Sequence, residues 1–205
     1  MTDLTAAYTE KFNVILQPAA EKLCEFLEPM FYEHPGVCRV STRPKKIKSF
    51  LDKAAIEEDG KPKYGDPLNE IQDQLGALVV TRFLADIQPV ADIVENTFRR
   101  IERQYIEPES ENEFGYVGQH YILFLPGDVG ADSSIDFFEL QVKTLFQYAW
   151  SETNHAIGYK GKAKLTPEQR RLSAYLAAQA WGADVAVDDL HSQVGTHSEL
   201  EKHSA

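Results

Sequence analysis

LGALVVTRF, at residues 75–83, is an almost unbroken apolar run rich in β-branched residues. Such a run is typical of a strand that is buried on both faces near the centre of a sheet. Helical and strand patterns alternate on either side of it. The sequence therefore predicts an α+β protein in which helices flank a mixed β-sheet.

Upstream of this run, apolar spacing predicts a helix over 4–33, which Pro18 divides into two pieces. Residues 37–40 suit a short strand. Pro44 suits the first position of a helix that continues to about Ala55, because its missing N–H is not needed there. After the run, Asp86 precedes a helical pattern whose apolar stripe extends as far as Ile101.

Downstream, residues 116–125 and 134–143 suit two strands joined by a turn at 126–128. A helix is expected over 145–157. Another begins at Thr166, which is followed by Pro167 and by Gln169 as a capping-box residue. We expect one domain over 1–192, comprising an N-terminal helical segment (1–35), a catalytic core (36–160) and a C-terminal helical segment (165–192), followed by a frayed polar tail over 193–205.

Composition narrows the functional class. The 205 residues are 43% hydrophobic, enough for a sizeable core, yet no stretch reaches the roughly 20 apolar residues of a membrane span. The N-terminus lacks a basic region followed by an apolar run, so a cytoplasmic protein with reduced Cys24 and Cys38 is expected. The net charge of −11 disfavours a surface that coats nucleic acid.

Positive charge is nevertheless concentrated between Arg39 and Lys53, where six cationic side chains accompany only Asp52. On a helix, Lys45, Ser49 and Lys53 would form one stripe, because residues four apart share a face. Ammonium groups near a helix N-terminus favour anions, which suggests a triphosphate cradle. An ordinary amphipathic helix is the alternative interpretation.

A second polar group lies on a strand. Strand alternation places Glu139, Gln141 and Lys143 on one face, opposite three apolar residues. An exposed edge strand would explain this pattern; so would an active site whose carboxylate binds a metal or accepts a proton. Asp73, just before the apolar run, could pair with Glu139 to hold Mg²⁺, which prefers a few carboxylates together with phosphate oxygens.

A third segment is Gly115-Tyr116-Val117-Gly118-Gln119-His120. Glycines beside a tyrosine leave room for a flat ligand to stack on the ring. Packing of the tyrosine and histidine at the start of a strand is the alternative.

In this order, the segments resemble the synthetase domain of RelA/SpoT proteins over about residues 37–160. The matching blocks are Arg43/Lys45/Ser49/Lys53, Asp73 with Leu75-Gly76, Gly115-Tyr116/His120, Glu139-Leu140-Gln141-Val142-Lys143-Thr144 and Trp150/His155/Tyr159-Lys160. Five blocks in one order are far more specific than any single block. The resemblance implies the nucleotidyltransferase, polymerase-β-like fold of these synthetases, and the size matches the small stand-alone alarmone synthetases.

The implied activity is that of a GTP pyrophosphokinase-like enzyme, an ATP:nucleotide 3′-pyrophosphotransferase making (p)ppGpp-type alarmones with Mg²⁺. ATP would be the donor and GTP or GDP the acceptor. Arg43 would stack on adenine, while Lys45, Ser49 and Lys53 would hold the donor phosphates. Small synthetases of this type often assemble, so the terminal helices are candidate surfaces for a homo-oligomer.

The resemblance also assigns the metal and acceptor sites. Asp73 and Glu139 would bind Mg²⁺, and Glu139 would assist deprotonation of the acceptor 3′-hydroxyl. Tyr116 would stack on the acceptor base. The remaining acceptor-binding residues would be His120, Gln141 and Lys143.

Two departures from the family pattern keep alternatives open. Leu78 stands where family members usually have an arginine that completes the adenine clamp, and Arg82 lies four residues further along. The segment 111–114 is acidic where the family commonly has a phosphate-binding lysine. The alternatives are a catalytically degenerate nucleotide-binding protein, or a toxin-type member that acts on the tRNA 3′ end or on adenine nucleotides such as ADP.

Overall fold

The fold is a five-stranded mixed sheet with helices on both faces, as expected from the alternating patterns. A computed structural model describes residues 2–104, 116, 118–130, 135–160 and 165–202. The segment 105–115, which contains Gly115 and the acidic segment, lies outside the described residues, as do Ser134 and 203–205. No helix within the described ranges combines the length and apolarity needed to cross a bilayer.

Within the described ranges, the helices are α1 (Thr2–Lys11), α2 (Gln17–Phe31), α3 (Ile47–Ala54), α4 (Pro67–Glu70), α5 (Ile87–Thr97), α6 (Gly127–Gly130), α7 (Leu145–Lys160) and α8 (Pro167–Lys202). A π-helical turn, Phe12–Leu16, joins α1 to α2, and 3₁₀ turns occupy Gln72–Gln74 and Leu84–Asp86. The strands are β1 (Val37–Pro44), β2 (Glu57–Glu58), β3 (Lys61–Pro62), β4 (Leu75–Thr81), β5 (Arg100–Gln104), β6 (Gln119–Phe124) and β7 (Phe137–Thr144).

The main sheet has the order β1-β4-β7-β6-β5. Two interior strands, β4 and β7, run parallel to each other, with Gly76 opposite Glu139, and the other neighbouring strands are antiparallel. The apolar run therefore forms an interior strand, which confirms the expectation from its composition. Because β7 is the middle strand of five, the edge-strand interpretation of its polar face is wrong.

One face of the sheet forms the core. Leu140 and Val142 of β7 are fully buried there, among side chains from α1, α2 and α5 such as Leu23 and Val94. The opposite face carries the polar residues of β7 beneath α7. Alternate residues of β7 thus face the apolar core on one side of the sheet and the polar side beneath α7 on the other.

Several predicted boundaries are wrong for identifiable reasons. Pro44 ends a strand instead of beginning a helix, because β1 pairs with β4 as far as Leu75 and a proline needs no N–H on an edge strand. The helix that was expected to reach Ile101 ends at Thr97, and that residue lies in β5. Pro18 does not break the first helix, since helical backbone continues from α1 through the π turn into α2.

The C-terminal region also differs from expectation. The strands predicted over 116–125 and 134–143 are shorter or shifted, at Gln119–Phe124 and Phe137–Thr144, and the predicted turn overlaps the short helix α6. The capping box at Thr166 and Gln169 is confirmed by reciprocal hydrogen bonds of 2.9 and 3.2 Å. Helix α8 continues to Lys202, so residues 193–202 are helical where a polar tail was expected.

Candidate functional site

A cavity with two lobes lies between the polar face of the sheet and α7. The first lobe, of about 470 Å³, includes Lys45, Lys46, Ser49 and Asp73 in its lining. The second, of about 260 Å³, is lined on the sheet side by residues of β1, β4 and β7 and is covered by α7. The two lobes share the lining residues Arg43, Gly76, Glu139, Glu152 and His155.

Asp73 is the electrostatic centre of the first lobe. Its Oδ2 accepts hydrogen bonds from Lys45 Nζ at 2.7 Å and from Lys53 Nζ at 2.9 Å. Burial raises the pKa of Asp73, but the two ammonium groups outweigh burial and leave the pKa below its usual value. Its Oδ1 is buried with no hydrogen-bond partner. The carboxylate is therefore ionised, and one of its oxygens is buried without a hydrogen-bond partner.

Lys45 reaches Asp73 from outside the helix on which the sequence placed it. Helix α3 begins only at Ile47, so the predicted stripe of Lys45, Ser49 and Lys53 on one helix face is wrong. The backbone of Lys45 is fixed instead by two contacts: its N–H donates to Gln74 O at 2.8 Å, and its carbonyl accepts from Tyr8 Oη at 2.8 Å. The two lysines still converge, but they do so on a carboxylate.

Glu139 lies at the junction of the lobes. Its Oε2 accepts from Gln141 Nε2 at 2.8 Å, and its Oε1 lies 3.3 Å from His120 Nδ1 on the neighbouring strand. Burial raises the pKa of Glu139, while His120 and Gln141 outweigh it, so the pKa lies below its usual value. Sequence reasoning assigned these residues to one site, and the structure brings them together.

Lys143 extends the same row into the second lobe. Its side chain is buried, and Nζ donates to Ser151 Oγ of α7 at 2.9 Å. Burial lowers the pKa of Lys143, although Glu139 and Glu152 partly oppose this shift. Glu139, Gln141 and Lys143 all line the second lobe, which confirms the predicted alternation along β7.

Tyr116 is buried, and its hydroxyl donates to the Asp184 carboxylate of α8. Thr144 Oγ1 donates to the same oxygen. Burial is the main cause of the raised pKa of Asp184. Tyr116 lines neither lobe, so its stacking on an acceptor base stays a prediction. Asp184 was missed because it lies 68 residues from Tyr116 on an otherwise ordinary polar helix.

A match to a family model agrees with this geometry. Residues 42–164 match the model described as "Region found in RelA / SpoT proteins". The chain belongs to the RelA/SpoT family. The matched region contains Asp73 and Glu139, the two lysines that contact Asp73, and the polar face of β7.

Individual relatives agree with this assignment. The chain is 28% identical over 183 residues to the GTP pyrophosphokinase YjbM of Bacillus subtilis, an alignment that covers 83% of this chain and 82% of YjbM. Its fold is similar to small alarmone synthetase 1 of Bacillus subtilis bound to its product pppGpp, with a TM-score of 0.76, 22% identity, and coverage of 92% and 99%. A GTP pyrophosphokinase family protein from Streptococcus pneumoniae gives a TM-score of 0.73 at 22% identity, with coverage of 93% and 97%. These likenesses confirm the predicted fold class.

Of the two departures from the family pattern, Leu78 lies within the described residues and the acidic segment 111–114 does not. Leu78 lines the second lobe, between Ser41 and Gln141 on the neighbouring strands. Arg82 does not reach that lobe, because its guanidinium donates to the carbonyls of Pro35 and Val37. The side chain at 78 therefore leaves a hydrocarbon wall in the cavity.

The residues present fit a magnesium ion. No group of three or more His, Cys, Asp or Glu side chains forms a metal site among the residues that the structure describes. However, Mg²⁺ is commonly held by one or two carboxylates together with substrate phosphates. Asp73, with its unpartnered buried oxygen, and Glu139 supply such a pair beside a cationic lobe.

Proposed function

We propose that this chain transfers the pyrophosphoryl group of ATP to the 3′-hydroxyl of GTP or GDP, producing (p)ppGpp-type alarmones with Mg²⁺. The observation that carries the proposal is the environment of Asp73, whose ionised carboxylate accepts hydrogen bonds from Lys45 and Lys53, keeps one oxygen unpartnered and lines the first lobe together with Glu139. Membership of the RelA/SpoT family and the likeness to YjbM, named a GTP pyrophosphokinase, support the same reaction.

Different residues of the cavity would bind the donor phosphates and the metal ion. Lys45 and Ser49, which line the first lobe, and Lys53, which contacts Asp73, would bind the donor phosphates, and the two lysines would neutralise their charge. Bound Mg²⁺, held by Asp73 and Glu139, would supply further charge neutralisation at the transferring group. Positioning and charge stabilisation provide most of the catalysis in phosphoryl transfer.

Glu139 would take the acceptor proton. The acceptor 3′-oxygen would form a bond to the β-phosphorus of ATP, the bond from that phosphorus to the α,β-bridging oxygen would break, and AMP would leave. The hydroxyl proton would pass to Glu139, whose carboxylate is ionised because His120 and Gln141 hold its pKa low. Gln141 also fixes the orientation of that carboxylate.

A transfer assay tests the proposal. The chain is incubated with Mg²⁺ and ATP labelled at the γ-phosphate, and separately with GDP, GTP, ADP or tRNA. We expect labelled product and released AMP with GDP or GTP, and loss of both with Glu139→Gln. Transfer only to tRNA or ADP would indicate the toxin-type alternative. ATP binding without transfer would indicate a degenerate nucleotide-binding protein, and absence of both would overturn the proposal.

A further inference from the structure

A buried carboxylate on α8 joins the C-terminal helix to the end of the sheet beside the second lobe. Asp184 is 1% exposed, and its Oδ2 accepts hydrogen bonds from Tyr116 Oη and Thr144 Oγ1. Its Oδ1 is buried without a hydrogen-bond partner. Tyr116 and Thr144 are buried as well. Because a buried hydroxyl or carboxylate that loses its partner is costly, these two bonds hold three separate segments of the chain in one arrangement.

Thr144 begins the helix that covers the second lobe. Its Oγ1 accepts from Gln147 N at 3.1 Å, and its own N–H donates to Gln147 Oε1 at 2.9 Å, which is a capping box at the start of α7. Further along α7, Tyr148 Oη accepts from Arg39 Nη1 at 3.1 Å. Four residues of α7 line the lobe: Tyr148, Ser151, Glu152 and His155. The bond from Thr144 to Asp184 therefore fixes the position from which this covering helix starts.

Tyr116 lies beside the same end of the lobe. Two residues after it, the backbone of Gly118 lies against Lys143, since a Cβ at Gly118 would be 2.4 Å from Lys143 Cγ. Lys143 lines the second lobe, and Thr144, which shares Asp184 with Tyr116, is the next residue of β7. Asp184 thus holds both the tyrosine that the family resemblance assigns to the acceptor base and the start of the helix that covers the second lobe.

We propose that Asp184 is a positioning residue for the acceptor nucleotide, and that α8 is thereby part of the acceptor site. The inference rests on the proposed function. An acceptor binds more tightly when the tyrosine and the covering helix are already ordered, because binding then costs less conformational entropy. The first lobe is held by other contacts, since Tyr8 and Gln74 fix the backbone of Lys45. Loss of Asp184 should therefore weaken acceptor binding more than donor binding.

The next turn of α8 supplies a matched control. Asp188 lies four residues after Asp184, on the same face of the helix. Its Oδ1 accepts a hydrogen bond at 2.9 Å from the N–H of Ala85, in the 3₁₀ turn after β4. Asp188→Ala therefore removes a carboxylate and a hydrogen bond that dock the same helix, and it leaves the bonds from Tyr116 and Thr144 to Asp184 in place.

The experiment titrates GDP by calorimetry into the whole chain saturated with Mg²⁺ and the α,β-methylene analogue of ATP, and measures the affinity of that analogue separately. Asp184→Ala should weaken GDP binding about tenfold, equivalent to about 1.4 kcal/mol, because Tyr116 and Thr144 both lose their partner. It should change the affinity of the ATP analogue by less than about twofold, because sites without shared partners act independently. Asp184→Asn, which keeps an oxygen that can accept both bonds, should restore GDP affinity to within about threefold of the parent. Asp188→Ala should leave GDP affinity within about twofold of the parent.

Tyr116→Phe provides a second variant in case Asp184→Ala does not fold. It keeps the ring and removes one of the two hydrogen bonds to Asp184. GDP affinity should fall by about threefold, because the ring is then held less firmly.

Two results would overturn the inference while leaving the proposed function intact. One is unchanged GDP affinity in every variant that folds. The other is an equal loss for GDP and the ATP analogue, or an equal loss of GDP affinity in Asp188→Ala, since either would show that Asp184 only docks α8. A parent chain that bound no GDP would overturn both the inference and the proposed acceptor. GDP affinity that depends on Asp184, in a chain that transfers nothing, would support the inference and contradict the proposed reaction.

Discussion

Replacing Tyr8 by phenylalanine should weaken the fold by a definite amount and disturb the donor site. Tyr8 is completely buried, and its ring stacks on Phe50 with centroids 3.6 Å apart. Its hydroxyl donates to the carbonyl of Lys45, which is 37 residues away in the sequence. Burial strongly raises the pKa of Tyr8, so the phenol stays neutral and its hydroxyl donates this hydrogen bond.

The magnitude follows from these contacts. Phenylalanine keeps the stacked ring, so no cavity the size of a ring forms. What is lost is one hydrogen bond, and the Lys45 carbonyl is left without this partner beside a hydrocarbon edge. A hydrogen bond lost under these conditions costs about 1–2 kcal/mol of unfolding free energy. In a chain of this length, the melting temperature should fall by about 3–6 °C.

Urea unfolding of Tyr8→Phe measures the stability change, and Tyr175→Phe is the matched control, because Tyr175 is 59% exposed on α8. The control should lie within about 0.5 kcal/mol of the parent. A freer Lys45 should also raise the KM for ATP more than it lowers kcat. If Tyr8→Phe were as stable as the control, with an unchanged KM, the reasoning that Tyr8 holds the Lys45 backbone would be refuted.

Three further changes test other parts of the structure. Asp184→Asn should gain stability relative to the parent as pH rises above the usual carboxyl pKa. Burial raises the pKa of Asp184 in the folded state, so the stability that this carboxyl contributes to the parent is complete below its unfolded-state pKa and is lost as pH rises through its folded-state pKa. Urea midpoints of both proteins across pH 4.5–8 measure the difference, and a constant difference would contradict the prediction. Gly118→Ala should lower the free energy of unfolding by about 2 kcal/mol in the same assay, since a Cβ there would lie 2.3 Å from the backbone oxygen of Val142. An unchanged urea midpoint would mean that the chain before β6 moves away from β7 easily. Arg82→Ala should leave calorimetric ATP affinity unchanged, because its guanidinium binds the carbonyl of Val37 outside the cavity, and weaker binding would contradict that placement.

The sequence predicted those features that depend on neighbouring residues. The run at Leu75–Thr81 specifies an interior strand through its own composition, and alternation along β7 specifies which side chains face the cavity. The capping box at Thr166 is likewise encoded within four residues. Such patterns are decided by backbone periodicity and local hydrogen bonding, so they can be read without the rest of the chain.

The missed features depend on partners that are distant in sequence. Pro44 suits a helix start locally, but pairing with β4 extends the strand through it. Arg39 and Tyr148 are 109 residues apart, and neither carries a local signal of the other. Asp184 looks like any polar residue of a long helix until the fold places it beside Tyr116. In each case, tertiary contacts decided the outcome where local preference did not.

The contact of two lysines with one oxygen of Asp73 affects how a polyphosphate would bind. Lys45 and Lys53 are already ordered and partly desolvated, so an arriving phosphate would replace a carboxylate as their counter-ion and would not have to organise two mobile side chains. In such binding a phosphate takes the place of the Asp73 carboxylate, so few salt ions are released from the lysines into bulk solvent. ATP affinity should therefore decline less steeply with added salt than it does at a site built from two exposed lysines.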